Sequence, residues 1–267
     1  MHSVINNIIQ STEQRISQIE EEEEEAKKNE YIDTDKRDIV SKINEKKSQN
    51  KVAVIAEVKP ASPGKKLRDI NPEDAAFIAS EMERAGAVAI SALTEPEFFH
   101  GSIDNLEAVR KKVMLPVLRK DFIINRLQFE EVRSDLILLI AGILEDHLDE
   151  MVDIAIEKSF EPLVEVHNEN ELEKALKTKT RIIGINNRNL NTLEIDLDTT
   201  LKLAPLIKEF DSSNNSHHII ISESGMHNTN DIRKVIKAGA DAVLVGTSII
   251  KSGEIYAKTR ELVNALD

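Results

Sequence analysis

Eight short runs of apolar, mostly β-branched residues recur along the chain at intervals of roughly 20–40 residues. They lie at residues 52–57, 88–93, 116–120, 136–140, 162–166, 181–186, 218–222 and 242–246. The segments between them carry apolar residues at i, i+3 and i+4, which is typical of amphipathic helices. Eight strands that alternate with helices predict an α/β fold, a (β/α)8 TIM barrel. A doubly wound open sheet is the alternative, but its first turn lacks the expected dinucleotide-binding glycines.

The first 50 residues precede these runs. Residues 4–28 predict a helix that ends near six consecutive glutamates at 20–25, which we interpret as a solvated helix face or a frayed end. A second helix is predicted at residues 37–47. We therefore expect an N-terminal helical extension, residues 1–50, that packs on a barrel formed by residues 51–267, within a single domain.

The charge and composition narrow the classes of partner. The chain has 267 residues and a formal net charge of −13, which disfavours nucleic acid and anionic membrane surfaces. No apolar stretch reaches membrane-spanning length, and the N-terminus lacks signal-peptide features. Cysteine is absent, so disulfides and thiolate chemistry are excluded. We expect a cytoplasmic protein that acts on a small molecule.

Charged and amide side chains follow five of the predicted strands. In strand order they are Glu57 and Lys59, Arg119 and Lys120, Glu165, Asn186 and Arg188, and Glu223 and Ser224. Residues two apart in a strand point to the same side, so Glu57 and Lys59 should project together. The catalytic groups of such barrels lie where the strands end, at the carboxyl face. We therefore expect these side chains to converge on one cavity as an acid–base set.

The last two strands end in segments that contain glycine. Residues 222–225 read Ser-Glu-Ser-Gly, and residues 246–248 read Gly-Thr-Ser and open the final helix. Glycine lets the backbone approach an anion closely, and the N–H groups of a helix start point towards it. These loops often bind phosphate in barrels of this kind. The sequence therefore predicts a phosphorylated small molecule as the substrate.

Seven segments of the chain, in order, resemble those of one enzyme family. They are AEVKPASP, LTEPEFFHGS, PVLRKDFI, EPLVEVHN, GINNRNL, SESG and LVGTS. Their order and spacing from residue 51 onwards are similar to those of the indole-3-glycerol phosphate synthases of tryptophan biosynthesis, which also carry an N-terminal extension. The resemblance implies a carboxy-lyase that works without metal or other cofactor. Its substrate would be 1-(2-carboxyphenylamino)-1-deoxyribulose 5-phosphate, and association with other enzymes of the pathway is a further expectation.

The resemblance also implies roles for individual residues. Lys120 would be the general acid and Glu165 a general base. The residues that assist the proton transfers would be Glu57, Lys59 and Asn186. The other substrate-binding residues would be Ser62, Phe99, Phe122, Arg188, Leu190 and Glu223. The phosphate would be held by Ser224, Gly225, Gly246 and Thr247.

Two segments depart from the family pattern. Residues 62–64 read Ser-Pro-Gly where Ser-Pro-Ser is usual, which predicts a looser loop with one hydroxyl fewer. The segment between the third and fourth strands is also a few residues short. Either the third helix is truncated or the fourth strand begins differently.

Two other functions remain open. A sister phosphate-binding barrel, such as phosphoribosylanthranilate isomerase or the tryptophan synthase α-subunit, would share the phosphate loops but need a different acid–base pair. A catalytically silent scaffold barrel would use the acidic helix as its contact, but the charged strand ends argue against it. Six histidines lack partners at metal-ligand spacing, and we interpret them as surface or loop residues: His100, His147, His167, His217, His218 and His227.

Overall fold

The computed structural model describes residues 2–23 and 37–267. Eight parallel strands close into a barrel, in which each strand pairs with its sequence neighbours and the first pairs with the last. The strands are β1 (Ala53–Val58), β2 (Ala89–Leu93), β3 (Val117–Lys120), β4 (Leu136–Ile140), β5 (Glu161–Val166), β6 (Ile182–Asn186), β7 (Ile219–Glu223) and β8 (Ala242–Val245). Each begins and ends within one residue of its predicted bounds. The predicted (β/α)8 barrel is confirmed, and the open sheet is excluded.

The strands separate two apolar cores. In β1, Ala53 and Ile55 belong to the core inside the barrel, while Val54 and Ala56 belong to the core between strands and helices. Alternate residues of a strand point to opposite faces, and here both faces are buried. The strands therefore read as continuous apolar runs, which is why they could be located in the sequence.

The described residues form eleven α-helices. They are α1 (Ser3–Glu23), α2 (Ile39–Ser48), α3 (Pro72–Arg84), α4 (Ile103–Lys112), α5 (Ala141–Leu144), α6 (Leu148–Glu157), α7 (Glu169–Ala175), α8 (Asp198–Asn214), α9 (Thr229–Lys237), α10 (Thr247–Ser252) and α11 (Ile255–Val263). Side-chain caps fix where several begin; Asn71, for example, forms a capping box with Asp74 before Pro72. None of the described helices is long and apolar enough to cross a membrane.

The connection between β3 and β4 is a short 3-10 turn, Arg126–Phe129, rather than an α-helix. Because β4 begins at Leu136 as predicted, the truncated third helix is the correct alternative. The Gln128 side chain bonds to the backbone that precedes this turn. Its Nε2 donates to the Phe122 carbonyl at 3.0 Å, and its Oε1 accepts from the Ile124 N–H at 2.8 Å. The turn thereby fixes the backbone that follows β3.

The two helices of the extension contact opposite ends of the barrel. Ile5 of α1 lines a cavity at the carboxyl ends of the strands. Lys47 of α2 pairs with Asp241, which precedes β8 at the amino ends. In the acidic run at 20–25, Glu24 and Glu25 lie outside the described residues.

Candidate active site

The carboxyl ends of the strands surround a cavity of about 220 Å³. The fifteen residues to which the family resemblance assigns a role all line it: Glu57, Lys59, Ser62, Phe99, Lys120, Phe122, Glu165, Asn186, Arg188, Leu190, Glu223, Ser224, Gly225, Gly246 and Thr247. They come from most of the strands and from the loops that follow them. The barrel geometry has therefore brought together residues up to 190 positions apart, since Glu57 and Thr247 share one cavity.

Lys120 lies between two carboxylates at the floor of this cavity. Its Nζ is 2.6 Å from Oε2 of Glu223 and 3.4 Å from Oε2 of Glu165. The lysine side chain is 16% exposed, whereas those of Glu223 and Glu165 are 1% and 3% exposed. One cation thus pairs with two buried carboxylates, so the protonation state of each group affects the pKa of the other two.

The charges of this cluster shift its pKa values in different directions. Burial works to lower the Lys120 pKa, but Glu223, Glu165 and Glu57 outweigh it and raise that pKa well above its ordinary value. Burial works to raise the Glu165 pKa, but Lys120 and His167 hold it well below its ordinary range. Burial, with the charge of Glu165 added, raises the pKa of Glu223 to about 7 against the pull of Lys120. Two carboxylates with separated pKa values around one lysine can divide acid and base roles.

A second lysine and carboxylate project from the end of β1. Nζ of Lys59 is 3.2 Å from Oε2 of Glu57 and 5.5 Å from the ring centroid of Phe99. The expectation that Glu57 and Lys59 share one side of the strand is confirmed. The other oxygen of Glu57, Oε1, is buried without a hydrogen-bond partner among the described residues, as is Oε1 of Glu223. Each of these two carboxylates therefore has one oxygen whose hydrogen-bonding capacity the described residues leave unused.

Two glycines make room for these carboxylates. A Cβ built on Gly246 would collide with the Glu57 carboxylate and lie 2.9 Å from its Cβ, and one built on Gly184 would collide with the Glu223 carboxylate. The Gly246 φ is −123°, so positive φ is not the reason for glycine here. Besides the phosphate role that the resemblance implies, Gly246 therefore leaves the space that the Glu57 side chain occupies.

Phe99 and Phe122 form an aromatic wall of the cavity, with ring centroids 6.1 Å apart and planes tilted by 37°. Glu95 orders the loop that carries Phe99. Its carboxylate accepts the backbone N–H groups of Glu97, Phe98 and Phe99 at 2.8–3.0 Å. Glu95 itself lines the cavity, and the sequence interpretation missed this role.

The segments after β7 and β8 form the opposite end of the cavity. Ser224 and Gly225 have φ values of 64° and 88°, so the chain turns in the left-handed region immediately after β7. Asn187 holds this turn, because its Nδ2 donates to the Glu223 and Ser224 carbonyls at 2.9 and 3.1 Å. Asn187 was not singled out in the sequence, since a buried amide beside Asn186 leaves no distinct signal.

The loop after β1 contains a short β-ribbon. Ala61–Ser62 pairs with Lys65–Lys66 in a short antiparallel ribbon. Gly64 lies in the turn of this ribbon with φ of 72°, a region in which serine would be strained. Pro63-Gly64 thus forms the turn of this ribbon, Ser62 lines the cavity, and the expected looser loop stays a prediction.

Arg119 does not belong to the cavity, contrary to our interpretation of the third strand end. It is fully buried and faces outward, where Nη2 bonds Asp121 at 3.1 Å and Nη1 bonds the Gln128 carbonyl. Adjacent residues of a strand point to opposite faces, so Lys120 and Arg119 cannot both point inward. Asp121 also accepts from Arg15 of α1 at 3.0 Å, which ties the extension to the end of β3.

Two of the six histidines are not surface residues. His218 is 6% exposed and its ring pairs with Asp211 at the amino end of β7. The His167 side chain is also 6% exposed, and Nε2 lies 3.2 Å from Oε1 of Glu165. Both lie in loops, which was one of the two expected settings, but they are buried against carboxylates rather than exposed at the surface. Within residues 2–23 and 37–267, no group of three or more His, Cys, Asp or Glu is placed to hold a metal ion.

A sequence model described as indole-3-glycerol phosphate synthase matches residues 5–262. The chain belongs to the indole-3-glycerol phosphate synthase family. Proteins of that name include one from Methanocaldococcus jannaschii, 43% identical over 84% of this chain and 82% of that protein. Another, from Campylobacter fetus subsp. fetus, is 37% identical over 97% of this chain and 98% of that protein. The family match includes the extension as well as the barrel.

Two solved structures share the fold at low identity. The (S)-3-O-geranylgeranylglyceryl phosphate synthase from Thermoplasma acidophilum has a TM-score of 0.58 at 13% identity, over 86% of this chain and 98% of that chain. The N-acetylmannosamine-6-phosphate 2-epimerase from Clostridium perfringens has a TM-score of 0.56 at 14% identity, over 78% of this chain and 91% of that chain. At this identity the likeness shows the barrel fold alone.

Proposed function

We propose that this chain converts 1-(2-carboxyphenylamino)-1-deoxyribulose 5-phosphate to indole-3-glycerol phosphate, carbon dioxide and water. The observation that carries the proposal is the buried Lys120, held between Glu165 and Glu223 at the cavity floor, in a chain that matches this enzyme family from residue 5 to residue 262. The reaction needs an acid, a base, an aromatic subsite and a phosphate subsite, and the cavity supports all four.

Lys120 acts in the ring-closing step. The ring carbon that carries the carboxylate attacks the ketone carbon, a carbon–carbon bond forms, and the ketone oxygen takes a proton from the Lys120 ammonium. The bond to the carboxylate then breaks, and its electron pair restores the aromatic ring as carbon dioxide leaves. The raised pKa of Lys120 keeps the proton on this group until a stronger base develops on the substrate oxygen.

Dehydration follows at the same end of the cavity. The new hydroxyl leaves as water after taking a proton from Lys59, while Glu165 removes the proton whose loss completes the indole. The lowered pKa of Glu165 keeps it ionised and able to accept. Because a substrate carboxylate leaves as neutral carbon dioxide, the whole reaction takes up one proton from water. Glu57 and Asn186 assist by holding Lys59 and the substrate hydroxyls.

The remaining residues orient the substrate. Phe99 and Phe122 hold the anthranilate ring, and Ser62, Arg188 and Leu190 complete that end of the cavity. Burial lowers the pKa of Arg188 although Glu57 opposes this, and an anthranilate carboxylate would offset the cost of its charge. Glu223 orients the Lys120 ammonium through their 2.6 Å contact. The phosphate binds to the backbone N–H groups of Ser224, Gly225, Gly246 and Thr247.

A single domain, formed by residues 1–50 and the barrel 51–267, is part of the same proposal. So are a cytoplasmic location and an association with other enzymes of tryptophan biosynthesis, since such enzymes would supply the substrate and use the product. We propose no nucleic-acid or membrane partner, given the net charge of −13.

Indole fluorescence tests the activity directly. The chain has no tryptophan and only Tyr31 and Tyr256 as tyrosines, so the product should appear against a nearly dark protein background. We expect fluorescence to rise on addition of authentic substrate, with neither metal nor nucleotide added, and to be unaffected by chelator. An unchanged signal would favour the sister enzyme or the silent scaffold. Loss of activity with chelator would contradict the cofactor-free mechanism.

A further inference from the structure

The chain carries the same Glu-Val-cation pattern at the ends of two strands. β1 ends in Glu57-Val58 followed by Lys59, and β5 ends in Glu165-Val166 followed by His167. In each case the cationic nitrogen lies 3.2 Å from a carboxylate oxygen two residues earlier. The two cations differ in where they lie, because Lys59 lines the cavity and His167 is not among the residues that line it.

Glu171 holds His167 from the side away from the cavity. Its Oε2 accepts the His167 backbone N–H at 2.8 Å and lies 2.9 Å from Nδ1 of the ring. Its Oε1 accepts from Nδ2 of Asn168 at 2.7 Å. Gly142 of α5 leaves the space for this carboxylate, since a Cβ there would lie 2.7 Å from Oε1. Nδ1 of His167 therefore forms a hydrogen bond with Glu171, whereas Nε2 faces Oε1 of Glu165 at ion-pair distance without hydrogen-bond geometry. Two facing carboxylates favour the imidazolium form.

We propose that His167 is a positioning residue, which keeps the Glu165 carboxylate ionised and oriented after Lys120 has given its proton to the substrate. Glu171 keeps His167 charged. The inference rests on the proposed function, in which Lys120 is the acid and Glu165 the base.

A permanent cation beside Glu165 is needed because the charge of Lys120 changes during the reaction. Lys120 is a cation only until it donates its proton, and Glu165 would then be a 2% exposed anion close to Glu223. His167 keeps its charge through the cycle because it does not reach the substrate. Burial works to lower the pKa of His167, but Glu165 and Glu171 raise it to about 9.

Groups on three neighbouring elements act on Glu165 and His167. α5, which packs against α7, carries only Ala, Gly, Ile and Leu. Lys120 and Asn186 act on Glu165 from β3 and β6, and Glu171 acts on His167 from α7. Glu171, His167 and Glu165 thus form a row of alternating charges that ends at the proposed base.

The first test measures the histidine itself and does not depend on activity. With histidine labelled at the ring carbons, the His167 resonance, assigned by its loss in His167→Gln, should titrate with a pKa of about 9. In Glu171→Gln this pKa should fall towards the ordinary value of about 6.5. A His167 ring that is already neutral at pH 7 in the parent would overturn the inference.

The second test is the pH profile of kcat in His167→Gln. Removing a cation beside Glu165 raises the carboxyl pKa, so the acidic limb should move to higher pH by about 1–3 units, with KM little changed. The control is His218→Gln, which removes an equally buried histidine from Asp211 at the other end of the barrel. That variant should lose stability and keep the parental acidic limb.

The two failures are distinguishable. A parent that forms no indole overturns the proposed function, and with it the catalytic use of His167. An active parent whose acidic limb is the same in His167→Gln and His218→Gln overturns the inference alone and leaves His167 as a stabilising ion pair.

Discussion

Two buried carboxylates at the amino ends of the strands are more fully paired than two at the carboxyl ends. At the amino ends, Oδ2 of Asp241 accepts the Ile220 backbone N–H at 2.9 Å, and Lys47 bonds Oδ1. Asp135 accepts the Val117 N–H at 2.8 Å and also has an arginine partner. At these positions a buried charge joins a strand to a helix, with both of its oxygens satisfied.

At the carboxyl ends, Glu57 and Glu223 each keep one buried oxygen without a hydrogen-bond partner among the described residues. An unsatisfied buried acceptor costs about 1–3 kcal/mol. Their other oxygens face Lys59 and Lys120, whose side chains line the cavity. The difference indicates that Asp241 and Asp135 stabilise the fold, whereas Glu57 and Glu223 each leave one acceptor unused beside the cavity, at some cost in stability.

The largest expected effect is on catalysis at the carboxyl end. Replacement of Lys120 by Met keeps the apolar stem but removes the proton donor, so kcat should fall by at least about 10²-fold. KM should change less, because the proposed phosphate residues lie after β7 and β8. The matched control is Lys47→Met at the amino end, which should keep the parental kcat. If Lys120→Met raised KM but kept kcat, Lys120 would be a binding residue and Lys59 the better candidate for the acid.

The next effect is on stability at the amino end. Asp241→Asn removes a charged acceptor from the Ile220 N–H and from Lys47, so the free energy of unfolding measured in urea should fall by about 2 kcal/mol. The kcat of the folded variant should equal that of the parent, because Asp241 lies at the far end of β8 from the cavity. A loss of kcat in this variant would contradict the claim that carboxylates at the amino ends stabilise the fold without affecting catalysis.

Gly246→Ala distinguishes two roles of Gly246 at the carboxyl end, namely making room for Glu57 and binding the phosphate. If Gly246 makes room for Glu57, the added methyl displaces that carboxylate, and kcat should fall roughly 10-fold with little change in KM. The same substitution in a Glu57→Ala background should then have almost no further effect. A rise in KM alone, with weaker inhibition by inorganic phosphate in both backgrounds, would instead assign Gly246 to the phosphate.

The fold could be predicted almost completely from the sequence. Strands buried on both faces produce apolar runs such as 136–140, whose bounds match β4. The 3-10 turn at Arg126–Phe129 was one of two alternatives left open by a short segment, because length alone does not distinguish a missing helix from a shifted strand. The rule that gathers strand ends at one face also predicted the cavity lining.

The sequence analysis did not predict several contacts made by side chains at and after the strand ends. Arg119 was assigned to the cavity although its neighbour Lys120 already pointed there, and the period of two should have excluded it. The same period, applied to Glu165 and His167 as it was to Glu57 and Lys59, would have found the buried histidine. The role of Glu95 depends on a loop that folds back on itself, which no spacing rule reveals.

The most direct test of the difference between the two ends is the pH dependence of unfolding in one variant from each. The pKa of Glu223 is raised from about 4.5 to about 7, chiefly by burial, so its ionisation removes stability from the parent as pH rises through that window. Burial works to raise the Asp211 pKa, but His218 and Ser216 hold it below its ordinary value, so Asp211 adds stability that is lost only at acidic pH.

We therefore predict that Glu223→Gln becomes more stable relative to the parent in urea unfolding between pH 5 and pH 8, while its kcat falls. We predict that Asp211→Asn is less stable than the parent at both pH values, with kcat unchanged. If Glu223→Gln instead lost the same stability at pH 5 and pH 8 and kept the parental kcat, the carboxyl end would be an ordinary stabilising ion cluster, and the proposed division of the barrel would be contradicted.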